Sequence, residues 1–74
     1  MKIKLSRHAK RRARLYKIPE RIVTNILSAL DLPPGEHVVV KDVEEIPYPL
    51  KIVLWVEEDL ITVVTNYPLK KARR

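Results

Sequence analysis

The stretch LKIVLWVEEDLITVVTN, residues 50–66, decides the fold. It alternates with a period of two, β-branched side chains dominate it, and Glu58-Asp59 interrupts it near its middle. That is the pattern of two strands joined by a turn. We read strands over Leu50–Glu57 and Leu60–Asn66, and an earlier one over His37–Val43, set apart by the Pro47-Tyr48-Pro49 loop. Glu-Asp is a poor primed turn, so a longer loop is the alternative to a two-residue one. With two residues in the loop, Ile52, Leu54 and Val56 share a face with Ile61 and Val63. The other face carries Val53, Trp55, Leu60 and Val64 and is apolar as well.

Upstream of Gly35 the period is 3.6. Ser6 is a good N-cap for a helix over Arg7–Tyr16, whose Leu5, Ala9, Ala13 and Tyr16 face inward. This inner face is small, so the helix should lie close to what it covers. Arg7, Lys10, Arg11 and Arg14 recur at i, i+3, i+4 and i+7, which places them on one outward stripe. Pro19 suits the first turn of a second helix, with Glu20 near its positive end and an apolar face of Ile22, Val23, Ile26, Leu27 and Leu30. Leu32-Pro33-Pro34-Gly35 stops it, with Gly35 free to take a left-handed turn. Met1–Leu5 adds an edge strand. The order β-α-α-β-β-β is an α+β fold with two N-terminal helices packed on a three- to four-stranded antiparallel sheet. Two helices cover one sheet face, so the second apolar face implies a homodimer, a partner segment or a binding cleft.

The chain has 74 residues, enough for one small domain over 1–74 with a basic C-terminal tail, 69–74. It has no Cys, which excludes disulfides, Cys-ligated zinc and thiol catalysis. His8 and His37 are its only histidines, and no H-E-x-x-H spacing or Gly-rich phosphate loop occurs, so no metal or cofactor is expected. The longest apolar run is Ile52–Val56, far short of the roughly 20 residues of a membrane helix, and Met-Lys-Ile-Lys-Leu is not read as a signal peptide. A cytoplasmic protein is expected.

The net charge of +6 is unevenly spread. Residues 1–21 hold nine Lys/Arg against Glu20 alone, and 70–74 add Lys70, Lys71, Arg73 and Arg74, whereas the segment between them holds two bases and eight acids. The absence of Gln and the abundance of Lys, Glu and Arg look heat-adapted. Proteins of that kind usually intersperse their signs; segregated signs suit a polyanion on one side of the molecule. Arg7, Lys10, Arg11, Arg14 and the tail residues Lys70, Lys71, Arg73 and Arg74 are therefore the candidate RNA contacts.

His8 and Arg12 lie one helical turn apart and face the same way. A metal-free ribonuclease needs a base for the 2′-hydroxyl, cations for the charge building on phosphorus and an acid for the leaving oxygen. His8 suits the base and Arg12 the cation; the competing role for His8 is to fill the helix flank. Tyr67, after the last strand and ahead of the basic tail, either stacks on a base, shares a proton with a leaving group or plugs the end of the core. Trp55 is read as packing in the sheet or in an oligomer contact, and Glu57, Glu58 and Asp59 as a solvated turn.

Ser6-Arg7-His8-Ala9-Lys10-Arg11-Arg12 followed by Lys17-Ile18-Pro19-Glu20-Arg21-Ile22-Val23 resembles the pattern H-A-x-x-R-x-x-x-R-G-I-x-x-x-x-V of a small uncharacterised His-Ala-x-x-Arg family related to the RelE/ParE toxin superfamily. Ile61–Pro68 looks like the closing strand of the same group. The resemblance implies a RelE-like fold and toxins that cut mRNA, often at the ribosome, and are neutralised by a co-expressed antitoxin. His8 and Arg12 fall on the family's His and first Arg, Ile18 and Val23 on its packing positions, and Tyr67 on a late aromatic. Tyr16 stands where a second Arg is expected and Lys17 where a Gly would end the helix. The expected function is a toxin-type, metal-independent endoribonuclease acting on mRNA, with His8, Arg12 and Tyr67 catalytic and an acidic antitoxin-like protein as partner. A non-enzymatic RNA- or ribosome-binding module and a gyrase-type toxin are the alternatives on the same fold.

Overall fold

The computed structural model describes residues 2–69. Its elements run β1 (Lys2–Leu5), α1 (Arg7–Leu15), α2 (Glu20–Ser28), β2 (Gly35–Lys41), β3 (Leu50–Glu57) and β4 (Leu60–Pro68), and the strand order in the sheet is β1-β4-β3-β2. The fold is α+β with a mixed sheet: β2, β3 and β4 are antiparallel neighbours, and β1 runs parallel to β4. The expectation of a wholly antiparallel sheet is corrected at this one edge. Parallel pairing sends the chain from β1 straight into α1 alongside the second half of β4. An antiparallel β1 would carry α1 off the other end, away from the residues it packs against.

The hairpin loop has two residues, since Glu57 pairs with Leu60, and Glu58 takes φ of 42° to make the turn. Ile52, Leu54, Val56, Ile61 and Val63 are buried on one face as the alternation requires. They form one core with Ala9, Ala13, Ile18, Ile22, Val23 and Leu27. Three boundaries move. β2 occupies Gly35–Lys41 in place of His37–Val43, because Gly35, with φ of 124°, starts the strand opposite Val56 after the diproline stop. β4 runs on to Pro68 and takes in Tyr67. α2 ends at Ser28, so Leu30 reaches the core from the loop beyond it.

α1 is held at both ends. The Ser6 hydroxyl accepts from the Ala9 N–H at 3.0 Å and donates to the Val64 carbonyl at 3.0 Å, while the Ser6 N–H donates to the Val63 carbonyl. At the C-terminus Ile18 N–H donates to Ala13 O at 2.7 Å and Lys17 N–H to Arg14 O at 3.2 Å. This is the paired six-to-one and five-to-two closure of a helix whose next residue is left-handed. Lys17 fills that position with φ of 57°, where the resembling family has Gly.

The hairpin is not regular throughout. Leu54 pairs with Val63 but Val53 pairs with Thr65, so Val64 is an extra residue and β4 bulges there. Its consequence is a change of face. In an uninterrupted hairpin Tyr67 would oppose the buried Leu50 and Asn66 would oppose Lys51. With the bulge, Asn66 opposes Ile52 and is fully buried, and Tyr67 opposes Lys51 on the face away from the core.

Candidate nucleic-acid interface

Arg7, Lys10, Arg11 and Arg14 are all exposed along α1, as their spacing requires. Lys70, Lys71, Arg73 and Arg74 lie outside the described residues. Among the described residues the one ion pair is Arg21–Glu45, 4.0 Å apart and exposed, so no carboxylate neutralises the α1 stripe.

Where α1 passes the end of β4, its half-buried Arg12 places its guanidinium carbon 6.0 Å from the centroid of the Tyr67 ring. The Lys51 ammonium lies 5.8 Å from the same centroid. Both distances are within reach of cation–π attraction, worth about 0.5–1 kcal/mol each at a partly exposed site. Tyr67 is half-buried and does not plug the core. The site thus gathers two cations, without a carboxylate partner among the described residues, and a phenol from three elements, α1, β3 and β4. No protein-family model, curated protein or solved structure matches the chain.

His8, one turn before Arg12, is exposed and makes no hydrogen bond to another described residue. It shares the helix flank with Arg12, but nothing among the described residues orients its ring. Of the three expected catalytic residues, the structure brings Arg12 and Tyr67 together and leaves His8 on the rim. Lys51 is the residue that the sequence reading missed. Its only signal was its place in β3 opposite Tyr67, and that register exists only because of the bulge.

Among the described residues no three His, Asp or Glu side chains converge to hold a metal ion, and no helix is long and apolar enough to cross a membrane. The sheet face beside Tyr67 is open: Val38, Val40, Trp55 and Val64 are all exposed on it or at its bulge. Trp55 is 45% exposed, so it is not a core residue. A cluster on an open surface, on a molecule whose α1 also exposes four cations, suits a polyanion, whose successive phosphates are each met by one cation.

Proposed function

We propose that the protein is an RNA-directed, toxin-type endoribonuclease with a RelE-like fold, and that the Arg12–Tyr67–Lys51 cluster receives the scissile phosphate. The observation that carries this reading is the convergence of Arg12 and Lys51, with no carboxylate partner among the described residues, on the ring of Tyr67. The α1 stripe, Arg7, Lys10, Arg11 and Arg14, leads the RNA backbone to it by phosphate contacts.

In the proposed reaction His8 removes the 2′-hydroxyl proton as that oxygen attacks the adjacent phosphorus. The P–O5′ bond breaks and the Tyr67 hydroxyl delivers a proton to the departing oxygen. Arg12 and Lys51 stabilise the negative charge that builds on the non-bridging oxygens, which is the largest service a fixed site renders in such a transfer. The products are a 2′,3′-cyclic phosphate and a 5′-hydroxyl, formed without a metal cofactor. On this reading an acidic antitoxin-like partner silences the protein by occupying the same cations.

One observation favours the second reading, a non-enzymatic RNA-binding module: the ring of His8 has no orienting hydrogen bond among the described residues. Incubation of single-stranded RNA with the protein in EDTA separates the two. Cyclic-phosphate ends that increase with time support the nuclease, and binding without new ends supports the module. Absence of both overturns the RNA reading.

A further inference from the structure

A sheet has two edges, and here they are treated differently. β1, at one edge, is four residues long and carries Lys2 and Lys4, both exposed. Short length and lysines are the devices by which an edge strand is kept from pairing with another chain. β2, at the other edge, is seven residues long, contains Val38-Val39-Val40, and has neither a lysine nor a proline before its final residue. Among the described residues its one sheet neighbour is β3. Val38 and Val40 are 55% and 53% exposed.

We propose that β2 pairs with β2 of a second copy, antiparallel about a twofold axis through Val38, so that two four-stranded sheets become one of eight strands. The register follows from the strand itself. Antiparallel partners must point to the same face of the joint sheet, and overlap is complete only when Val38 opposes its own copy and Gly35 opposes Lys41.

Three features of the molecule fit that arrangement and no shifted one. The central row across the open face reads Thr65-Val53-Val38 and then the same three residues of the second copy reversed, four adjacent valines flanked by threonines. The neighbouring row brings Glu36, beside Trp55, next to Val40 of the second copy, whose own strand neighbour is Lys51. The acidic end of each β2 thereby meets the basic end of the other. Finally, a Cβ built on Gly35 meets nothing within 4 Å, so nothing crowds the position that Lys41 of the second copy would oppose. A shift of two residues that puts Val39 on the axis opposes Glu36 to Asp42. The pairing is closed, because the remaining outer edges are the two lysine-bearing β1 strands.

A protein without cysteine makes the test direct. Sedimentation of the wild type across micromolar to hundred-micromolar concentrations is expected to show a dimer. Under mild oxidation Val38→Cys is expected to give a disulfide-linked dimer, since its copies face each other, whereas Val40→Cys, about 13 Å from its own copy along the strands, is expected to stay uncrosslinked. Val38→Lys is expected to be monomeric with an unchanged circular dichroism spectrum. A wild type that is monomeric throughout overturns the proposal, as does crosslinking of Val40→Cys as readily as of Val38→Cys. Growth beyond the dimer, or pairing of β2 with a strand of a different protein only, overturns it too. RNA binding is measured separately, so failure here leaves the ribonuclease reading standing.

Discussion

The side-chain amide of Asn66 donates to the main-chain carbonyl of Ala9 at 3.2 Å, and both residues are fully buried. Ala9 follows His8 and lies three residues before Arg12, while Asn66 precedes Tyr67. One hydrogen bond therefore fixes the helix that carries two of the four proposed site residues against the strand that carries Tyr67. The Asn66 Oδ1 has no partner among the described residues, and buried polar atoms in that condition cost stability. A core residue that costs part of what it contributes is explained by what it positions.

Asn66→Ala is expected to destabilise by about 1–2 kcal/mol, the loss of a buried hydrogen bond and a small cavity, offset by removal of the unpartnered oxygen. Asn66→Asp keeps the shape but presents oxygen to the Ala9 oxygen, and is expected to cost about 3 kcal/mol or more at neutral pH. Burial disfavours the charged carboxylate, so the folded state of this variant holds its proton to higher pH than the unfolded state does. Its stability must then fall as pH rises. Urea unfolding at pH 4.5 and pH 7 checks both statements, and an Asp variant as stable as wild type at pH 7 contradicts them.

Among the described residues Lys17 and Glu58 are the two non-glycine residues with positive φ, at 57° and 42°. Left-handed backbone costs an ordinary L-residue about 1 kcal/mol, part of which glycine returns through its freer unfolded chain. Lys17→Gly and Glu58→Gly are each expected to stabilise by about 0.5 kcal/mol, and to add because they sit in separate turns. Thermal unfolding of the single and double variants measures this. A destabilising Lys17→Gly would mean that the lysine side chain contributes more than its backbone costs.

The alternation of residues 50–66 made the hairpin and its buried face legible, and the small face Ala9, Ala13 correctly placed α1 close against its support. The bulge at Val64 was not legible, because nothing in Val63-Val64-Thr65 differs in type from a regular β-branched strand. That one residue decided the site. It moved Tyr67 out of the core, brought Lys51 opposite it, and sent Asn66 inward to meet Ala9. The parallel direction of β1 was hidden for a similar reason: four residues carry no sign of strand direction, which is set by where Ser6 bonds on β4.

Exposed cations that neutralise phosphates release counterions, so affinity for single-stranded RNA should fall as salt rises with a slope of about −0.7 per contact. Charge reversal at Arg11 and Arg14 together should flatten that slope by one to two contacts. Lys51→Glu, on the open face, should flatten it by about one more. Fluorescence anisotropy with a short unstructured RNA at several salt concentrations gives the slopes directly. Binding that ignores salt would remove the stripe from the interface.

The sharpest separation between the nuclease and its alternatives lies in how the cluster variants divide. Arg12 and Lys51 are proposed to hold the phosphate and, more strongly, the charge that builds as phosphorus is attacked, so Arg12→Ala and Lys51→Ala should lower kcat by roughly 100-fold and raise KM only by about 2- to 5-fold. His8→Ala and Tyr67→Phe remove a proton acceptor and a proton donor and should also lower kcat by roughly 100-fold, with cyclic-phosphate ends still the product. His8 is exposed, so its removal should leave the melting temperature unchanged, which separates a chemical role from a structural one. Tyr67→Phe keeps the ring that holds Arg12 and Lys51, and therefore tests the hydroxyl alone. If Tyr67→Phe cleaves as wild type while Arg12→Ala does not, the ring serves to place the cations and the leaving oxygen takes its proton from water. If His8→Ala cleaves as wild type, the base is not His8, and the unoriented ring seen on the rim of the site is a surface residue only.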